Sequence, residues 1–410
     1  MIMKTVIRSE TEMKDSGLRW LGEIPNDWKV SRVGNFFSFS SGDSLTNENI
    51  RNEGMYLVYG ANGIRGYYSK YNLDKKRILL GRVGALAGNV HIVDGKVWVT
   101  EHALIASNKL DLVEEYYGYV FESMNLIQYS KSSAQPVISG DTLQKLRFPV
   151  PQLPEQQAIA NYLGKTCSKI DEIIAEAKAS IDEYKELKQS VIFEAVTKGI
   201  DKNVEMKQCS VNWLDEIPST WEAIRLKYLL TEINNRSETG TEQPLSVSQV
   251  MGVVPSYMIS VANPTASYVG QKIVEPKDIV FNKLKAHLGV FFMSKYHGLV
   301  SPDYAVYRTN DKVIPKYLEY LFHTSACISE FKKYISGVAE GLMRLYTSDL
   351  FNIRICLPKV DEQIKIVEYV DNNVKLFDSL IAEKESLIND LEAYKKSLIY
   401  EVVTGKRRVV

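Results

Sequence analysis

Trp20-Leu-Gly-Glu-Ile-Pro-Asn-Asp-Trp28 returns as Trp213-Leu-Asp-Glu-Ile-Pro-Ser-Thr-Trp221, at an offset of 193. Further along, Pro151, Glu155, Gln156, Ile159, Tyr162 and Asp171 return as Pro358, Glu362, Gln363, Ile366, Tyr369 and Asp378, at an offset of 207. Between these blocks the two copies diverge almost completely. A repeated frame around divergent inserts implies one scaffold that carries two readers of different targets. The repeat is a duplication of two large units, unlike a solenoid, whose short units need about three or more copies.

A second signal lies just after each later block. From Pro154 to Lys198 no Pro or Gly interrupts the chain except Gly164, and Gly199 is a stop signal. Pro154 suits a first helical position and Glu155 the positive first turn. In the second copy Pro358 precedes, Asp361 and Glu362 fill the first turn, and Gly405 closes. Each helix is expected to run about 43 residues, or roughly 64 Å at 1.5 Å per residue. A coiled-coil stripe is readable on both. It runs Thr166, Ile170, Ile173, Ala177, Ser180, Tyr184, Leu187, Val191 on the first. On the second it runs Asn373, Phe377, Leu380, Lys384, Leu387, Leu391, Tyr394, Leu398. A lone helix of this length leaves its stripe uncovered, so each needs a partner. The expected pair is the two helices of one chain, antiparallel, meeting through Ile170, Ile173, Ala177, Tyr184, Leu187 and Phe377, Leu380, Leu387, Leu391, Tyr394. The alternative is homodimerisation through either helix.

The inserts read as mixed α/β modules with strand-rich cores. The runs 55–59, 77–81, 90–93 and 97–100 are short, β-branched or aromatic, and bounded by turn residues. Asp94-Gly95 between two of them is a hairpin signal. Ile78–Ile105 and Ile279–Val306 align without a gap at an offset of 201, which places Arg82 on Lys283 and Gly88 on Gly289. The fold class expected is α+β: two α/β recognition domains, each followed by a long helix, with an internal pseudo-twofold repeat.

Composition bounds the function. A chain of 410 residues has room for two to four domains. No run approaches the roughly 18 apolar residues of a membrane span, and residues 1–12 carry charges without an apolar stretch, so no secretory signal is expected. The four cysteines stand far apart in sequence without metal spacing, which fits a reduced, cytoplasmic chain. Net charge is zero, yet residues 29–147 carry 14 basic against 11 acidic side chains, and 222–357 carry 15 against 12. Mildly basic inserts on acidic connectors fit a protein that supplies specificity while partners supply much of the phosphate affinity.

No catalytic constellation is found. Asn263-Pro264-Thr265-Ala266 fails as an amino-methyltransferase tetrapeptide, and Gly95-Lys96-Val97 fails as a phosphate loop. His91, His102, His287, His297 and His323 lack ligand spacing. There remain loops rich in Gly, Tyr, Asn and Arg, above all Tyr59-Gly-Ala-Asn-Gly-Ile-Arg-Gly-Tyr-Tyr-Ser-Lys70. Arg and Lys suit phosphates and guanine edges, and Asn and Gln suit adenine. The candidate DNA contacts are Arg65, Tyr67, Lys70, Lys76, Arg82, Lys131 and Gln135 in the first insert, and Lys283, Lys285, His287 and Arg344 in the second. The competing reading is a solvated, turn-rich sheet face. Trp20, Trp28, Trp213 and Trp221 belong to the frame and are expected to be structural staples.

The run Asp15-Ser-Gly-Leu-Arg-Trp-Leu-Gly-Glu-Ile-Pro-Asn-Asp-Trp28 resembles the opening motif of specificity subunits of Type I restriction-modification systems. Pro151-Gln-Leu-Pro-Glu-Gln-Gln157 before a long helix resembles the start of their conserved region. Asp278-Ile-Val-Phe-Asn-Lys283 and Gly298-Leu-Val-Ser-Pro-Asp-Tyr304 resemble recurring target-recognition motifs. The second copy departs in lacking Asp-Ser-Gly before Trp213 and in having no proline where Pro154 stands. The resemblance implies target recognition domains at 1–150 and 201–357 and spacer helices at 151–200 and 358–410. It implies a bipartite, asymmetric double-stranded DNA target, two methyltransferase subunits for adenine-N6 methylation, and restriction and translocase subunits. S-adenosylmethionine, ATP and Mg are then expected on those partners, with no cofactor or metal in this chain. Two other classes remain open, a solitary nuclease or methyltransferase and a coiled-coil scaffold without a nucleic-acid role.

Overall fold

The two longest elements are the helices Leu153–Lys198 and Val360–Val403. The computed structural model describes residues 4–130, 136–259, 267–336 and 344–410. These divide into two units, 1–178 with 385–410 and 179–384. Each unit holds the start of one long helix and the end of the other. Among the described residues no helix is long and apolar enough to cross a membrane.

In the first unit an antiparallel sheet has the order Phe37–Ser41, Ala103–Asn108, Arg77–Gly81, Val90–Val93. A smaller sheet sets Val97–Val99 parallel to Tyr56–Gly60, which pairs in turn with Gly63–Tyr68. Phe37, Tyr117, Phe121 and Phe148 are fully buried and pack ring against ring, with Tyr117 and Phe148 centroids 4.9 Å apart. The ribbon Lys29–Arg32 with Arg147–Val150 joins the beginning and end of the insert. Its residue Pro149, which has no N–H to donate, faces Val30 in this two-stranded element.

The second unit repeats the plan. Its sheet has the order Leu230–Ile233, Tyr304–Thr309, Ile279–Asn282, Phe291–Met293, and its ribbon pairs Glu222–Arg225 with Arg354–Leu357. The strands Arg77–Gly81, Val90–Val93 and Ala103–Asn108 recur 201 residues on, and the rung Leu80–Val90 recurs as Phe281–Phe291. Gap-free alignment in sequence is therefore identity of register. The core is again aromatic, with Phe281 and Phe291 stacked at 4.3 Å and Phe331 at 4.7 Å from Phe291.

The frame residues that repeat in sequence bond to one another. Trp28 and Trp221 are buried, and their indole N–H groups donate to Glu155 at 2.8 Å and Glu362 at 2.9 Å, in the first turn of each long helix. Gln156 and Gln363 lie in the next position and donate to the carbonyls of Pro151 and Pro358, tying each helix start to the strand before it. Tyr116, on the helix Glu114–Ser123, donates to the Val403 carbonyl at 3.2 Å, and Tyr317, on the helix Pro315–Phe322, donates to the Val196 carbonyl at 2.8 Å. Thus a buried phenol in each unit satisfies an orphan carbonyl at the end of a long helix. The helices stop at Gly199 and Gly405, with φ of +78° and +75°. A Cβ on Gly405 would meet Pro25 at 2.5 Å, so the left-handed stop is also a close approach.

Three expectations change. Asp94-Gly95 does turn the chain, with Gly95 at φ +90°, yet it joins two sheets and makes no hairpin. Val90–Val93 is held by Arg77–Gly81, and Val97–Val99 leaves for the other sheet. The first long helix begins at Leu153, one residue before Pro154. Its buried stripe runs Cys167, Ile170, Ile174, Ala177, Ile181, so Ile170 and Ala177 belong to it while Ile173 and Leu187 are 44% exposed. On the second helix Ile388 is buried, Phe377, Leu380 and Leu391 are half-buried, and Leu387 and Tyr394 are exposed. Two cysteines distant in sequence also meet: Cys209 and Cys356 have sulfurs 3.0 Å apart.

Candidate DNA interface

Arg82 and Lys283 occupy the same place in their units. Each follows the strand that ends at Gly81 or Asn282, and each lends its carbonyl to a returning segment. The Ile138 N–H donates to the Arg82 carbonyl at 2.8 Å, and the Leu345 N–H donates to the Lys283 carbonyl at 3.1 Å. The backbone at this corner is therefore fixed, and only the side chains differ. Arg82 donates from Nη1 to the exposed Ser41 Oγ at 2.7 Å. Lys283 stands 3.6 Å from Glu232, beside Lys272. Lys272 is buried, donates to the Tyr304 carbonyl at 2.8 Å, and has its pKa lowered by burial and by Lys283.

The second corner opens into a short turn of 3-10 helix, Lys283–Leu288. Asn282 caps it, its Oδ1 accepting from the N–H groups of Leu284 at 3.1 Å and Lys285 at 3.2 Å. The cap holds Lys285 and His287 outward, both exposed. Arg344 precedes Leu345 and pairs through its backbone with Ser336, so the fold brings it beside Lys283.

The first insert spreads its candidates more widely. Arg65 and Tyr67 lie on the strand Gly63–Tyr68, and Lys70 is exposed just beyond it. Arg65 donates to Asn47 Oδ1, and Tyr67 pairs through its backbone with Arg51. Lys76 is bound to Glu115 on the helix Glu114–Ser123, and that hydrogen bond raises its pKa. Both partners are partly exposed, so Lys76 stays at the surface with its charge already paired. Lys131 and Gln135 lie outside the described residues.

Beside Lys285 a cleft of about 740 Å³ is lined by Ser246, Ser248, Gln249, Tyr257 and Tyr268. Tyr257 is 79% exposed, and Val250, at the tip of the hairpin Leu245–Ser248 with Gly252–Pro255, is 91% exposed. These polar and aromatic groups escaped the sequence reading because the hairpin lies where the copies diverge. Its only signal was the short Ser-Gln-Val-Met-Gly run between two β-branched stretches. Burial lowers the pKa values of His91 and His323. Among the described residues no cluster of His, Cys, Asp and Glu could hold a metal ion.

A family model described as the Type I restriction modification DNA specificity domain matches residues 25–183 and 218–391. The chain is 36% identical over 141 residues to the EcoprrI specificity subunit of Escherichia coli, a match that spans 33% of this chain and 35% of that relative. It is 24% identical to the MjaVIII specificity subunit of Methanocaldococcus jannaschii, over 100% of this chain and 98% of the other. Among solved structures, a chain from a study of complex assembly and conformational transition in the type I R-M system is similar at a TM-score of 0.66 and 14% identity, covering 93% of this chain and 99% of that one. The HsdS subunit of Thermoanaerobacter tengcongensis is similar at a TM-score of 0.52 and 15% identity, covering 93% and 98%.

Proposed function

Because the chain belongs to the specificity subunits of Type I restriction-modification systems, we propose that it reads a two-part, asymmetric DNA target, one half with each insert. The family is one of DNA recognition and scaffolding, and this chain is its non-catalytic, specificity-giving member. The observation that carries the two-part reading is the shared corner. Arg82 and Lys283 hold the same backbone bond in the same register, and their surroundings differ. Identical scaffolds with different side chains are what two readers of different sequences require. We assign target recognition to 1–150 and 201–357 and spacing to 151–200 and 358–410. Arg65, Tyr67, Lys70 and Arg82 form the first reading surface, and Lys283, Lys285, His287 and Arg344 the second, with Lys131 and Gln135 kept as first-half candidates from sequence.

The helices act as the spacer, packed as an antiparallel coiled coil within one chain. In one unit Lys395 of the second helix bonds Asp171 of the first at 2.7 Å, and in the other Lys188 of the first bonds Asp378 of the second at 2.6 Å. Forward along the first helix from Asp171 to Lys188, the partner steps back along the second from Lys395 to Asp378. These bonds within the chain favour the intramolecular pair over homodimerisation. The complex we infer is cytoplasmic and adds two methyltransferase subunits and restriction subunits, which bring S-adenosylmethionine, ATP and Mg.

The test is a domain exchange in the assembled complex. Residues 29–147 are replaced by the corresponding segment of a relative, and methylated adenines are mapped. One half of the target should change and the other half, with its spacing, should stay. A change in both halves, or in neither, overturns the two-reader assignment.

A further inference from the structure

Two pairs of arginines at the edges of the inserts, next to the repeated frame, have no side-chain partner among the described residues. Arg32 lies directly across the ribbon from Arg147, and Arg225 lies directly across from Arg354. The Val33 N–H bonds the Leu146 carbonyl at 2.9 Å, and the Leu226 N–H bonds the Ile353 carbonyl at 3.0 Å, closing the next rung of each ribbon. Each arginine pair therefore sits on the alternate rung, without ladder bonds, where side chains on one face stand closest. All four are exposed, and among the described residues none makes an ion pair or donates a side-chain hydrogen bond. Like charges directly opposite each other destabilise a β pair. A destabilising arrangement present twice, at the edges of the inserts and related by the same offsets of 193 and 207 as the flanking frame, implies an anion that both halves meet in the same way.

The place of the pairs says which anion. The helix Gly140–Lys145 leads from the segment bonded to Arg82 to Arg147, and the helix Thr347–Asn352 leads from the segment bonded to Lys283 to Arg354. Six residues of helix span about 9 Å, or two to three steps of duplex at about 3.4 Å each. Each arginine pair is thus tied to its reading corner by one short helix.

We propose that Arg32 with Arg147, and Arg225 with Arg354, are clamps for the phosphate backbone that flank the two reading corners and act on any sequence. The proposal rests on the reading that the inserts bind DNA. A guanidinium presents its donors in a fork that matches phosphate, and two forks on one face of a ribbon offer a contiguous site. With affinity placed in the frame, the inserts are free to diverge in what they read.

The experiment measures binding of the full chain to a random-sequence duplex of about 40 base pairs across a salt series. The variants are R32A/R147A/R225A/R354A and, separately, R147E/R354E. The fourfold alanine variant should bind at least about tenfold more weakly near 150 mM salt, and its salt slope should fall by about 3 to 4. R147E/R354E places a carboxylate opposite each remaining arginine. It should unfold at the same or a higher temperature than the wild type and still bind weakly, which misfolding cannot produce. A fourfold variant that keeps wild-type affinity and slope overturns the clamps while leaving the DNA reading intact. Normal duplex binding with failed assembly on the methyltransferase subunit makes the anion an acidic protein face and also overturns them. A wild-type chain that binds no duplex, alone or assembled with its methyltransferase subunits, refutes the DNA reading and the clamps together.

Discussion

The repeated frame and the divergent inserts obey different rules. In the frame, both members of each bond are duplicated: Trp28 with Glu155 and Trp221 with Glu362, Asp171 with Lys395 and Asp378 with Lys188. Neither partner can change alone without leaving a buried indole or an unpaired charge. In the inserts only the backbone is duplicated. The rung Leu80–Val90 keeps its place as Phe281–Phe291, while the corner side chains pass from arginine bonded to a serine to lysine beside a glutamate. A strand register fixes where a side chain projects and leaves its chemistry open, which is the freedom a reader needs.

The harshest challenge to this comparison is to remove the frame tryptophans. Trp28→Ala and Trp221→Ala should each cost about 3–5 kcal/mol, since both rings are fully buried. Denaturant unfolding of each variant measures it. Equal losses support equivalent joints, and a loss below about 1 kcal/mol at either would show that one copy no longer depends on its staple.

The glutamates should separate the copies. Glu155 accepts from Trp28 and also pairs with Arg8 at 2.6 Å, and the Arg8 side chain is only 8% exposed. The residue at the corresponding position 201 is Asp, and among the described residues Glu362 accepts from Trp221 alone. Glu155→Gln leaves a nearly buried guanidinium without its counter-charge and should cost about 2–3 kcal/mol. Glu362→Gln keeps an acceptor for the indole and should cost less than about 1 kcal/mol. Similar losses at the two sites would remove Arg8 from the joint.

On the insert side, Arg82→Ala should weaken binding to the first half-target by about 1–3 kcal/mol, and Lys283→Ala should do the same at the second. Binding to duplexes altered in one half at a time tells the two apart. A variant that weakens both halves equally contacts backbone only, and one that weakens neither is outside the interface.

Much of this was legible from spacing, and the misreadings have physical causes. Helix lengths were readable because Gly199 and Gly405 end both uninterrupted runs. The phase of the stripe was not, because Ile173 and Ile174 are neighbours, as are Leu387 and Ile388, and either completes a 3-4 pattern through Ala177 or Lys384. Which one is buried depends on the partner helix, which a single helix's periodicity does not contain. Asp94-Gly95 announced a reversal and could not say which strand the chain would pair with next. Gln249 lies at the turn of a hairpin without a sequence counterpart and Tyr257 just after it, so the repeat that exposed Lys283 was silent about them. Lys76 was readable as a cation, but its partner Glu115 lies on another element.

The smallest effect tests the equivalence of the copies most finely. Tyr116 and Tyr317 are buried phenols that donate to the carbonyls of Val403 and Val196, residues 207 apart. Replacing either by Phe removes one donor and leaves a helix-end carbonyl unsatisfied, which should cost about 1 kcal/mol. Tyr317→Phe should cost slightly more, because its bond is 2.8 Å long, whereas the Tyr116 hydroxyl lies 3.2 Å from Val403 and 3.5 Å from Pro149. Burial raises both phenol pKa values well above the ordinary value of 10.0. For an acid raised in the folded state, the contribution is complete below the unfolded pKa and is lost as pH rises beyond it. The difference between each variant and the wild type should therefore be flat from pH 6 to about 9 and shrink above about 10, as the unfolded wild-type chain begins to release the proton. A difference that grows at high pH would mean that the phenols are held as phenolates, and one that is absent throughout would mean that the helix ends find other donors.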